Sequence, residues 1–388
     1  MWVGRARYAL PAAALAGVAA VALVPALSGA ASPPGLPAQS VQQLLAQAVQ
    51  AKVPQLSGTL TWSSNLGLSD LSSLENELGV SPGSSASSAS GGTSAGFDPL
   101  SLLSGSYQIK VWLDGTTAEH LALINGQESE IDVVRNANQA WLWDSTNESV
   151  LHLVGPAGGS SASPGSSGAV APSAVPTPQQ VATSILQHLS PTTSVTESSP
   201  VWVAGQPAYQ LVISPRAAPG STINYIGIAI GSSGELAGVP VQVAVYANGL
   251  STAALELGFT GSLQLGAPPA SELTFTPPPG STVTTRDVGN GAVLGSGLGS
   301  GWTGVNFGSG VTKAGSGWAT VLEGNSAALA GGAGQAELGP LTSAVTIGGQ
   351  QARLFSTYLL NVLFMPGGNY YVGFVAPSVL EAAASQGS

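Results

Sequence analysis

A chain of 388 residues, 44% hydrophobic and only 7% charged, with 52 Gly and 27 Pro, is long enough for two domains and a large apolar core. Its formal net charge of −10 excludes a nucleic-acid partner and disfavours anionic headgroups. The absence of Cys excludes disulfides, thiolate metal sites, a cysteine nucleophile and a lipid-bearing N-terminal Cys.

The mean hydropathy of +0.29 comes from Ala, Val and Leu scattered through short strands, and the one continuous apolar block is N-terminal. There Arg5 and Arg7 precede an apolar run from Ala9 to about Leu27, followed by Ser28-Gly29-Ala30-Ala31. A positive segment, an apolar segment and small residues read as a secretory signal over 1–31, cleaved after Ala30 or Ala31. An uncleaved anchor is the alternative, because the run approaches the ~20 residues that span a bilayer; Pro25 and the small-residue site favour cleavage. Cleavage leaves seven basic against nineteen acidic residues, a net charge of −12.

After Pro37, the residues Val41, Leu44, Leu45, Ala48 and Val49 fall at helical spacing, and Pro54 ends this helix. Leu56 to Asn65 reads as a strand carrying Trp62. The Ser/Gly-rich stretches 81–96 and 155–175 lack apolar periodicity and are expected as disordered loops inserted within one domain. Between them lies a meander over 106–113, 118–124, 131–135, 139–144 and 151–153. Asp114-Gly115 and Asn125-Gly126 are turn signals within it. Alternation puts Tyr107, Ile109, Val111 and Leu113 on one face and Lys110 and Trp112 on the other; Trp141 and Trp143 also share a face.

A second helix is expected over 177–189, with Thr177 as N-cap, Pro178 at the first helical position and Pro191 beyond. Strands follow at Ser194–Val203, Ala208–Ser214, Ile223–Ile230, Val239–Ala247, Ala254–Leu263 and Leu273–Phe275. Helix, strands, helix, strands, joined by short hairpins, excludes a doubly wound parallel sheet and predicts a large antiparallel sheet with helices on one face. Pro277-Pro278-Pro279-Gly280 ends this unit, and 287–301 is a Gly-rich linker. The tail contains strands at Trp318–Leu322 and Val345–Ile347, and a hairpin of Gln351–Phe364 with Tyr370–Val375. A short helix follows over Pro377–Ala384.

Little here looks catalytic. His120 and His152 sit in strand patterns, His188 lies on a helix face, and no Ser occupies a nucleophile elbow. No His pair has metal-ligand spacing. Glu128, Glu130 and Asp132 alternate in a strand and share a face; three carboxylates could hold Ca²⁺, but a solvated strand face is the plainer reading. The reading is therefore a non-enzyme with no cofactor and no metal.

The tract Asn136-Ala137-Asn138 followed by Trp141-Leu142-Trp143-Asp144-Ser145 resembles the aromatic strand after a polar turn in the LolA lipoprotein carriers and the related MucB/RseB sensors. A second cluster is similar to LolA-like exported proteins of high-GC Gram-positive bacteria. It comprises Val203 to Leu211, Gly238 to Val243 and Phe275 to Gly280. The resemblance covers roughly Leu36 to Val283 and carries no catalytic motif. It implies an unclosed half-barrel whose apolar concave face holds acyl chains beneath a helical lid. One departure is Leu113-Asp114-Gly115, where the carriers have a basic residue and Pro; a lid-latching arginine is not visible there, which puts a carrier cycle driven by an ATP-dependent partner in doubt.

The expected fold is α+β: a LolA-like half-barrel over 32–286, then the linker and a small α+β appendage over 302–388. The expected function is an exported envelope protein that binds a lipid or an acylated protein, with membrane contact transient or through an uncleaved anchor. The alternative is a regulatory module that binds an envelope protein and no lipid. Candidate cavity residues are Trp62, Ile109, Val111, Leu113, Trp141, Trp143 and Tyr209. Strand parity alone leaves open which face is concave.

Overall fold

The computed structural model describes residues 34–68, 104–125, 129–136, 138–155, 177–187, 189–287, 312–325 and 341–386. The expected leader, the loop at 81–96, all but Gly155 of the loop at 155–175 and all but Asp287 of the linker lie outside them.

Two ten-residue helices open the two halves of the large sheet. In α1 (Val41–Gln50), Ser40 forms a reciprocal capping box with Gln43. The Gln43 N–H donates to Ser40 Oγ at 3.3 Å and the Ser40 N–H to Gln43 Oε1 at 2.9 Å, satisfying two groups that a helix start leaves unpaired. In α2 (Pro178–Gln187), Thr177 and Gln180 repeat the arrangement at 3.4 and 2.8 Å. Leu44 and Ala48 of α1 and Ala182 and Leu186 of α2 are buried, whereas Val49 is exposed. Gln179 Nε2 donates to the Ala51 carbonyl at 3.0 Å and ties the helices together.

Among the described residues, twelve strands form the large sheet. The first meander is β1 (Gln55–Asn65), β2 (Ser104–Asp114), β3 (Ala118–Asn125), β4 (Ser129–Asn136), β5 (Gln139–Asp144) and β6 (Ser149–Val154). The second is β7 (Thr193–Val203), β8 (Gln206–Pro215), β9 (Ile223–Gly231), β10 (Pro240–Ala247) and β11 (Leu255–Leu265), and β12 (Thr282–Asp287) follows. Their spatial order is β12-β6-β5-β4-β3-β2-β1-β11-β10-β9-β8-β7. The first meander therefore walks outward from β1, the second starts at the far edge and returns to it, and the sheet remains unclosed between β7 and β12. The hairpin between β7 and β8 turns on Ala204 and Gly205, both left-handed at φ 50° and 74°, the twist a two-residue turn requires.

Every neighbour in this sheet is antiparallel except β12, which runs parallel to β6. The strand expected at Leu273–Phe275 is absent: residues 270–273 form a single 3₁₀ turn and the following residues are extended coil. This segment crosses from β11 to the opposite edge, and the last strand comes after the Pro-rich run.

The C-terminal residues form a second antiparallel sheet from β13 (Thr312–Ala314), β14 (Val321–Asn325), β15 (Thr342–Ile347), β16 (Gln350–Ser356), β17 (Asn361–Phe364) and β18 (Asn369–Gly373), in the order β13-β14-β18-β17-β16-β15. The span 351–364 is two strands with a turn between them, and β17 pairs with β18 as the second hairpin. α3 (Pro377–Gln386) buries Leu380 and Ala384 against this sheet. The two sheets meet through backbone hydrogen bonds: Tyr358 N–H to Leu66 O at 3.0 Å, Thr222 N–H to Phe374 O at 3.0 Å and Ala376 N–H to Gly220 O at 2.7 Å.

Candidate functional site

Residues opposite one another on paired strands point to the same face, so register assigns the two faces of the large sheet. One row runs Val111, Leu121, Val133, Leu142, Leu151 across β2 to β6. Its neighbour runs Leu60, Ile109, Leu123, Ile131 across β1 to β4. In the other half the same face carries Trp62, Leu257, Val243, Ile228 and Leu211. Most of these side chains share one core with Leu44, Ala48, Ala182 and Leu186, so this is the helix side of the sheet. α1 packs on α2, β7 and β8, and α2 on β10. Across β4 to β6, Ile131, Val133 and Leu151 are only half-buried.

Of the candidate cavity residues, Trp62, Ile109, Val111, Leu113 and Tyr209 all lie in this core, each no more than 5% exposed. Tyr209 also donates its hydroxyl proton to the Pro37 carbonyl at 2.9 Å, pinning the chain just before α1. Trp141 and Trp143 lie on the opposite face, because Trp141 is paired with Val134 and His152, and Trp143 with Asp132 and Val150. The candidate list omits Leu121, Val133, Leu142 and Leu151, whose sequence signal is the plain alternation of β3 to β6.

Charged residues interrupt the helix side: Asp144, opposite Ile131 and 1% exposed, accepts from the N–H groups of Thr146 and Asn147, and a second break is a cross-strand pair. Glu119 and Arg135 are cross-strand partners, and Arg135 Nε lies 3.2 Å from Glu119 Oε1. Arg135 Nη1 also donates to the Thr116 carbonyl at 3.2 Å, so the guanidinium is held at the margin of the apolar rows.

The other face carries an aromatic row. Trp112, His120, Val134, Trp141 and His152 follow one another across β2 to β6. Trp112 stacks on His120 at 4.6 Å and Trp141 on His152 at 3.5 Å, with planes 20° and 4° apart. The segment leading to β12 lies over this row. His120 Nδ1 is 2.8 Å from the Glu272 carbonyl, Asn136 Nδ2 donates to the Leu273 carbonyl at 3.2 Å, and Phe275 packs on Trp141 at 5.6 Å. A carbonyl oxygen only accepts, so His120 carries a proton on Nδ1 and turns Nε2 to Asp132, 3.3 Å away.

Burial lowers the His152 pKa, opposed by the nearby Asp287 carboxylate. Glu130, on the same face as Asp132, is pushed up by burial and then by that carboxylate. Among the described residues no group of three His, Asp or Glu is placed to hold a metal, and Glu128 and His188 lie outside them. In the β8 to β11 half, Glu256 accepts a hydrogen bond from Gln242 at 2.8 Å and burial raises its pKa. An open groove of about 470 Å³ lies at the rim between the end of α1 and the β9–β10 turn, lined by polar groups including Gln47, Lys52 and Glu235. The more apolar of the two faces is the helix side.

No known family model and no curated protein matches this sequence. Among solved structures, the chain is similar to the MucA/MucB complex of Pseudomonas aeruginosa at 13% identity and a TM-score of 0.39, over 88% of this chain and 95% of that one. It is similar to an uncharacterised conserved protein of Thermus thermophilus at 9% identity and a TM-score of 0.32, over 64% and 100% of the two chains. A LolA superfamily protein of Nitrosomonas europaea is similar at 10% identity and a TM-score of 0.22, over 61% and 99%. These scores are low, and the fold rests on its own strand pairing and packing.

Proposed function

We propose that this chain is an exported envelope protein, of the type found in high-GC Gram-positive bacteria, that holds the acyl chain of a lipid or lipoprotein on the helix side of its large sheet. The observation that carries the reading is the broad apolar face, closed by α1 and α2 on the β7 to β11 half and left half-buried at Ile131, Val133 and Leu151 on the other. A buried methylene contributes about 0.8 kcal/mol, so a dozen would supply roughly 10 kcal/mol against the cost of association without any catalytic group. α1 and α2 contain no charged residue, so they can shift as a lid without breaking an ion pair of their own. Membrane contact on this reading is transient or runs through an uncleaved leader. Among the described residues no helix is long and apolar enough to cross a membrane.

The tight packing beneath the helices favours a second reading, a module that binds an envelope protein and no lipid. Leu44, Leu211, Ile213 and Ile228 are fully buried against one another's neighbours there, so the chain's own side chains occupy the space. Purification from a secreting host without detergent, followed by native mass spectrometry and lipid extraction, separates the two. The expected result is a stoichiometric acylated adduct, weakened at least about tenfold by Val133→Asp, because a carboxylate at the acyl site would lose its hydration. A clean apo mass that also takes up no fatty acid would leave the protein-binding reading.

A further inference from the structure

The turn between β16 and β17 is built as a rigid finger. The Thr357 N–H donates to the Leu360 carbonyl at 3.1 Å, and the Thr357 hydroxyl accepts the N–H groups of Leu359 at 3.2 Å and Leu360 at 2.8 Å. Asn361, 1% exposed, supports the turn from behind: its Oδ1 accepts from Ser356 Oγ at 2.6 Å and its Nδ2 donates to the Val375 carbonyl at 2.7 Å. The finger is gripped by the large sheet on both sides. Its Tyr358 N–H bonds to Leu66 just past β1, and its Leu359 carbonyl accepts the hydroxyl of Thr222 at the start of β9.

Three successive side chains of this turn then go to three environments. Tyr358 is 47% exposed, and Leu360 packs in a cluster of the C-terminal sheet. Leu359, 1% exposed, belongs instead to the core that contains Leu44, Trp62, Ala182 and Ile223. A side chain from the second sheet is thereby set into the helix-side core, at the end of the strands marked by Leu66 and Ile223.

Resting on the acyl-binding reading, we propose that Leu359 is an end-stop that sets how long an acyl chain the helix-side face accepts. A leucine held on a hydrogen-bonded turn has no freedom to retreat, so a chain advancing along the face ends against it. Shortening the residue lengthens the accepted chain, and enlarging it shortens the chain.

The test loads the purified secreted protein with an equimolar mixture of lauric, palmitic, stearic and arachidic acids and compares what each variant retains after extraction. Leu359→Ala is expected to raise the arachidic-to-palmitic ratio roughly tenfold, as burial of two or more further methylenes implies. Leu359→Phe is expected to move the ratio the other way. Leu359→Val gives the same sign with a smaller volume change if the alanine variant folds poorly. A protein that loads fatty acid with one profile in all variants overturns the end-stop and leaves acyl binding standing. A wild-type protein that retains no fatty acid overturns both.

Discussion

Glu119 and Arg135 face each other among the apolar rows of the helix side. Both side chains are nearly buried, at 11% and 13% exposure, and each is the other's counter-charge. Replacing Glu119 by Leu leaves a guanidinium without its counter-charge and is expected to lower stability by about 3 kcal/mol in urea unfolding. Adding Arg135→Met should restore most of that loss. Glu256 makes a different prediction. Burial raises its folded pKa above the ordinary 4.5, so the fold favours the neutral acid. That contribution is complete below the unfolded pKa and is lost as pH rises through the folded value. Glu256→Gln supplies a neutral group that still accepts from Gln242, and should raise the Tm at neutral pH with no gain near pH 4. None of the three could be singled out from sequence, because parity along β3, β4 and β11 gives two faces without saying which one the helices cover. The same limit placed Trp141 and Trp143 beside Trp62 as cavity candidates. Register across five strands is needed to see that they lie on the other side.

At the level of elements, the first helix was legible from apolar residues at helical spacing and the second from Thr177 as N-cap with Pro178 after it; the Gln43 and Gln180 halves of the two capping boxes emerge only in the structure. The meanders were legible from alternation and Asp-Gly turns. β12 was not, since Pro277 to Pro279 mimic the end of a domain, and the crossing segment before them imitates a strand at Leu273–Phe275. β12 is held by its parallel ladder with β6 and by few side chains of its own, since five of its six residues are exposed, so the crossing segment that precedes it adds to its anchorage. Phe275→Ala removes its contact with Trp141, and a loss of about 1.4 kcal/mol would speed amide exchange in Thr282–Asp287 roughly tenfold. Hydrogen exchange read by mass spectrometry should show that acceleration while β9 and β10 stay protected.

At the scale of the molecule, the second sheet is fastened to the first rather than strung after it. Cutting away residues 312–388 would strip Leu359 from the core, break the bonds to Leu66, Gly220 and Thr222, and bare Leu66 and Ile223. Opening a leucine-sized hole costs about 2–5 kcal/mol, and the Tm of the truncated chain is expected to fall by roughly 5 °C or more in calorimetry. Sequence indicated that a further α+β unit follows, but a hydrogen-bonded turn reaching into another sheet's core leaves no periodic trace.

The place of β1 sets a timetable. Its partner on one side, β2, is close in sequence, but β11 joins it only after residue 255 has been made, and the edge at β6 waits for residue 282. A chain emerging from its N-terminus therefore spends about half its synthesis with two strand edges open. Such distant pairing folds slowly and leaves the nascent wing exposed to foreign strands. A chaperone that shields those edges during that interval would favour the folded form.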